Sequence, residues 1–60
     1  MILKDKTTGA VVAEITANHS MSVDEVLQLM NFSVTDEGQL YDVDNKNALN
    51  AWYDDLEMVW

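Results

Sequence analysis

Sixty residues carry 11 carboxylates against three lysines and no arginine, for a net charge of -8, with no cysteine and a single histidine. That balance excludes direct binding to phosphate backbones or anionic membranes, which need a basic stripe, and it leaves no disulfide framework and no thiolate or multi-histidine metal site. A domain of this size buries only about 60% of the surface its unfolded chain exposes, so a second copy or a larger partner is the remaining staple.

The opening MILKDKTTG brings a charge after two apolar residues. No secretory signal core or membrane span is therefore expected, and cytoplasmic residence follows. Ile2 and Leu3 lead into Thr7-Thr8-Gly9, where Gly9 can take the left-handed conformation of a short hairpin loop. From Ala10 the chain alternates: Val11, Ala13, Ile15 and Ala17 point one way, Val12, Glu14 and Thr16 the other. This predicts a first β-hairpin with one packed face.

MSVDEV, at residues 21–26, marks a helix start. Ser22 is the N-cap, Glu25 closes a capping box, Met21 and Val26 form a hydrophobic staple, and Asp24 with Glu25 suits the positive end of the helix. Val23, Val26, Leu27 and Met30 make the buried stripe, Leu29 falls outside it, and the helix should end near Asn31. Residues 32–35 and 40–43, separated by Asp36-Glu37-Gly38-Gln39, predict a second hairpin.

After Asp44 and Asn45, either of which could cap, the spacing predicts a second helix over residues 46–60. Leu49, Trp52, Tyr53, Leu56, Val59 and Trp60 fall on an arc of about 140° at 100° per residue. The expected fold is one α+β domain spanning residues 1–60, a small antiparallel sheet of two hairpins with two helices on one face, in the order ββαββα.

Catalytic chemistry has little to work with. His19, Ser20 and Ser22 are neighbours on one connection, whereas nucleophilic triads assemble across a fold, and Ser22 is already explained as a cap. The carboxylates lack the deep cleft that would split their pKa values. The stretch Asp42-Val43-Asp44-Asn45 opens like a calcium loop but continues with Lys46, Asn47 and, at the twelfth position, Tyr53, so the pattern fails. Asn18-His19-Ser20 and Asn31-Phe32-Ser33 match the glycosylation triplet, which carries no meaning without a secretory signal. No nucleotide or other cofactor fingerprint is present, and no catalytic or metal-ligating residue is assigned.

What remains points to binding. Residues 21–60 hold nine carboxylates against Lys46 alone. In a C-terminal helix, Asp54, Asp55 and Glu57 would oppose the helix dipole, and such local inconsistencies often mark functional sites. The alternative is that Lys4 and Lys6 on the first strand neutralise them. Trp52, Tyr53 and Trp60 exceed the needs of so small a core, which predicts a homodimer through the aromatic helix, a small assembly protein being the contrasting function.

In size, acidity and lack of arginine, and in its opening LKDKTTGAVVAEI and tail AWYDDLEMVW, the chain resembles the small anti-defence proteins of bacteriophages, the anti-CRISPR and anti-restriction inhibitors. That resemblance implies a nucleic-acid mimic whose Asp36, Glu37, Asp42, Asp44, Asp54, Asp55 and Glu57 occupy the basic channel of a host enzyme.

Overall fold

The computed structural model describes residues 1–16 and 20–59. Ala17, Asn18, His19 and Trp60, with the expectations attached to them, lie outside the described residues. The elements run β1 (Ile2–Asp5), β2 (Val11–Glu14), α1 (Val23–Leu29), β3 (Phe32–Val34), β4 (Gln39–Asp42), β5 (Asn47–Trp52), a 3-10 turn (Tyr53–Asp55) and β6 (Leu56–Val59). They form two three-stranded antiparallel sheets, ordered β2-β1-β6 and β3-β4-β5.

The first hairpin and the first helix follow the local chemistry. Gly9 has φ +79°, as the loop requires. The capping box of α1 is complete: the Glu25 N–H donates to Ser22 Oγ at 3.2 Å, and the Ser22 N–H donates to Glu25 Oε1 at 3.1 Å. Val26 and Leu27 are buried and Val23 is half-buried, Leu29, off the stripe, is 65% exposed, and Met30, expected on the stripe, is exposed at the end of the helix. Asn31, at φ 58°, takes the left-handed position that stops the helix, which asparagine tolerates better than most side chains. The second hairpin, β3 with β4, also forms, turning at Gly38 with φ 87°.

The predicted C-terminal helix does not form, and the ββαββα order with two helices is replaced by a mostly β fold. Where the helix was expected lie β5, the 3-10 turn and β6. In β5, half-buried Leu49 and buried Ala51 alternate with exposed Ala48 and Asn50; in β6, Leu56 and Met58 pack on the core. The turn between the strands shifts the parity, so the inward positions 49 and 56, and likewise 51 and 58, fall seven apart. Seven residues are also two helical turns, which is why two strands counterfeit a helical stripe. The expected caps are used elsewhere. Asn45 donates to Asp42 through its N–H (3.2 Å) and its amide Nδ2 (2.7 Å), and Asp44 accepts from Asn31 Nδ2 at 2.8 Å. With Lys46 left-handed at φ 58°, residues 43–46 become a tight hairpin loop.

The core is a small cluster shared by both sheets and α1: Leu3, Ala13, Ile15, Val26, Leu27, Leu40 and Ala51, with Phe32, Leu49, Leu56 and Met58 packed against it. Fully burying a leucine such as Leu3 or Leu40 stabilises by roughly 1.5–3 kcal/mol, so few side chains carry most of the apolar gain. Asp5 sits among them with 0% exposure.

Candidate functional site

One end of the molecule is assembled around Tyr53. The loop between β3 and β4 is closed by Thr35, whose N–H donates to the Gln39 carbonyl at 2.8 Å, while its own carbonyl and hydroxyl accept the N–H groups of Gly38 (2.9 Å) and Gln39 (3.1 Å). This tight turn presents Asp36 and Glu37 to solvent. The Gly38 carbonyl accepts the Tyr53 N–H at 2.8 Å, which seats the 3-10 turn beside the loop. The Tyr53 hydroxyl donates to Asp24 Oδ1 at 2.7 Å, tying both to the first turn of α1. Three segments distant in sequence thus meet, carrying exposed Asp24, Asp36, Glu37 and Asp54. The lysines, at positions 4, 6 and 46, are on none of these segments.

The negative potential registers on Tyr53, which is 37% exposed. Its hydroxyl is pushed above the usual tyrosine range, first by the hydrogen bond to the Asp24 carboxylate, then by the charge of Asp24, by partial burial and by the charge of Asp54.

Of the seven carboxylates expected to act together, Asp36, Glu37 and Asp54 belong to this end. Asp42 does not: it is buried, and its carboxyl is held below the usual range by the Asn45 side chain and then the Asn45 N–H, against the opposing effect of burial, with a further contribution from the Asp44 N–H. It is an internal loop anchor. Asp44 lies in the loop at the opposite end of β4, bonded to Asn31. Asp55 is half-buried, with its carbonyl accepting the Lys6 N–H at 2.9 Å. Glu57 stands directly opposite Lys4 in the β1–β6 ladder, where opposite charges stabilise. The helix-dipole conflict expected for Asp54, Asp55 and Glu57 does not arise, because no helix carries them. Lys4 faces Glu57 across the ladder, and the contact of Lys6 with Asp55 is between backbone groups.

The aromatic arc is dispersed as well. Trp52 is half-buried at the end of β5, opposite Gln39, and Tyr53 is engaged with Asp24. Trp60 is outside the described residues. Self-association through an aromatic helix has no helix to act through.

Two residues were not singled out by sequence as parts of a site. Asp24 reads as an ordinary helix-dipole acid until the fold brings Tyr53 to it. Asp5 reads as a strand charge between two lysines, yet its carboxylate accepts three backbone N–H groups: Thr7 (2.8 Å) and Thr8 (2.9 Å) on Oδ1, and Trp52 (2.8 Å) on Oδ2. These bonds hold its carboxyl below the usual range, the Thr8 N–H foremost, against the opposing pull of burial. The string Asp5-Lys6-Thr7-Thr8-Gly9 is an Asx-type loop signal that could have revealed the first two bonds. The third crosses from one sheet to the other. Nearby, β5 bulges opposite β4, and the Leu49 and Asn50 carbonyls in the bulge accept Gln39 Nε2 (2.9 Å) and Thr8 Oγ1 (2.7 Å).

Among the described residues no group of three or more histidines or acids is arranged to hold a metal ion, and no helix is long and apolar enough to cross a membrane. The chemistry this arrangement offers is a set of solvated negative charges on segments joined by hydrogen bonds. No family model matches the chain, and neither a curated protein nor a solved structure matches it.

Proposed function

We propose that this is a non-enzymatic, cytoplasmic binding protein whose acidic end docks on a basic surface of another macromolecule, in the manner of a nucleic-acid mimic that inhibits a host defence nuclease. The observation that carries this reading is that hydrogen bonds of Tyr53 join three segments that carry the exposed residues Asp24, Asp36, Glu37 and Asp54, with no lysine on any of them. Holding like charges near one another is unfavourable unless something offsets it, and here the Tyr53 N–H bond to the Gly38 carbonyl and the Tyr53 hydroxyl bond to Asp24 hold the three segments together. Fixed, exposed carboxylates attract a basic channel over distances beyond contact and compete with nucleic acid for it.

The test is inhibition of DNA cleavage by a panel of CRISPR and restriction nucleases, with the protein and with an Asp36→Asn, Glu37→Gln, Asp54→Asn variant. Inhibition of at least one nuclease is expected, weakening steeply with added salt and falling about tenfold or more in the variant. Failure to inhibit any nuclease, or equal inhibition by the variant, refutes the reading.

A further inference from the structure

We infer that Asp5 is the positioning residue of the acidic end: its buried carboxylate fixes the 3-10 turn through the Trp52 N–H, and loss of its charge releases that turn while the hairpin loop it also anchors stays closed. The functional consequence depends on the docking role proposed above; the coupling itself stands on geometry.

Asp5 divides its oxygens between two tasks. Oδ1 accepts the loop N–H groups of Thr7 and Thr8, and Oδ2 accepts the Trp52 N–H. Trp52 is the residue before Tyr53, whose N–H and hydroxyl reach Gly38 and Asp24. A continuous path of hydrogen bonds and one peptide link therefore runs from a fully buried charge to the segments that carry Asp24, Asp36, Glu37 and Asp54. A carboxylate can accept all three N–H groups, whereas a carboxylic acid must place its own proton on one oxygen. A proton on Oδ2 disrupts one bond and a proton on Oδ1 disrupts two, so the Trp52 tie yields first.

The charged groups around Asp5 do not substitute for this tie. Lys4 and its opposite number Glu57 point to the other face of the sheet, as the alternation of β1 and β6 requires. Lys6 follows in the loop, Asp55 flanks Leu56 across the ladder, and Tyr53 with Asp54 follows Trp52. The facing stretch, Ala10 and the β2 residues Val11 to Ala13, carries no titratable side chain. Asp42 supplies an internal control, since it anchors the other hairpin loop through Asn45 without a bond to the 3-10 turn.

The experiment compares Asp5→Asn with Asp42→Asn by amide hydrogen exchange and by affinity for a decalysine peptide at neutral pH. In Asp5→Asn the amide oxygen can still face Thr7 and Thr8, but the NH2 group meets the Trp52 N–H, donor against donor. The Trp52 and Tyr53 amides should then exchange about tenfold faster or more, with the Thr8 amide little changed. Decalysine affinity should fall although Asp24, Asp36, Glu37 and Asp54 all keep their charge, and Asp42→Asn should do neither. Unchanged exchange at Trp52 and Tyr53 in a folded Asp5→Asn protein overturns the inference. If that variant does not fold, the wild-type protein is titrated into acid by NMR. Trp52 and Tyr53 amide resonances should move together with the Asp5 carboxyl carbon before global unfolding, and independent titration overturns the coupling. Failure of the wild-type protein to bind decalysine at all would remove the docking role, and the exchange measurements would still decide the role of Asp5.

Discussion

The Tyr53 hydroxyl donates to the Asp24 carboxylate at 2.7 Å across 29 residues of chain, and this bond joins α1 to the turn that links the two sheets. Tyr53→Phe removes the donor while keeping the ring. We predict a fall in Tm of a few degrees with an unchanged denaturation slope, since exposed Asp24 regains water. Because the folded-state value of Tyr53 is raised, its contribution is complete below the unfolded tyrosine value of about 10 and is lost as pH rises through the folded value. The difference between wild type and variant should therefore vanish in strong alkali. A difference that persists there would mean the hydroxyl is not the source.

Asp42 gives the opposite pH dependence. Its folded value is lowered, so its contribution is present above the unfolded carboxylate value of about 3.9 and disappears as pH falls through the folded value. We expect Asp42→Asn to be less stable than wild type at neutral pH, with the gap closing in acid. Urea midpoints across the acid range measure this, and a gap of constant size would exclude Asp42 charge as the cause.

Ala51 separates strand from helix in the tail. It has 0% exposure in β5, whereas a helix over residues 46–60 would turn it toward the polar side with Asn50. Ala51→Leu should destabilise by about 1–3 kcal/mol through overpacking. On a helical tail it would change stability by less than about 0.5 kcal/mol.

Ser22→Ala should cost about 0.5–2 kcal/mol, because it removes the oxygen that accepts the Glu25 N–H. An unchanged urea midpoint would contradict the capping role.

What was legible in the sequence was what depends on a few adjacent residues. The Ser22–Glu25 box, Gly9 and Gly38 at their turns, and the alternation placing Ala13 and Ile15 inward are all local. The tail was misjudged because period-two burial interrupted by a three-residue turn reproduces a seven-residue repeat, and periodicity alone cannot separate the two. The Asp42 to Asn47 segment held the counter-signal: an Asx loop in place of a helix cap. The sequence marks Asp36, Glu37 and Asp54 as candidate site residues, but it does not show that they share an end with Asp24, since that depends on Tyr53 reaching another element. Asp5 was hidden for the same reason, as its bond to Trp52 spans 47 residues.

The pairing of β1 with β6 sets an order of events in folding. Strands β3, β4 and β5 follow one another through short loops, whereas Ile2 must find Val59 and Leu3 must find Met58 before the other sheet is complete. Closing that long loop is the larger entropic barrier, so we expect the β3-β4-β5 meander to be organised in the transition state and β6 to dock after it. Substitution of Leu40 should then slow refolding, while substitution of Met58 should mainly speed unfolding, as stopped-flow chevrons would show. The reverse pattern would place the nucleus in the sheet formed by the two ends of the chain.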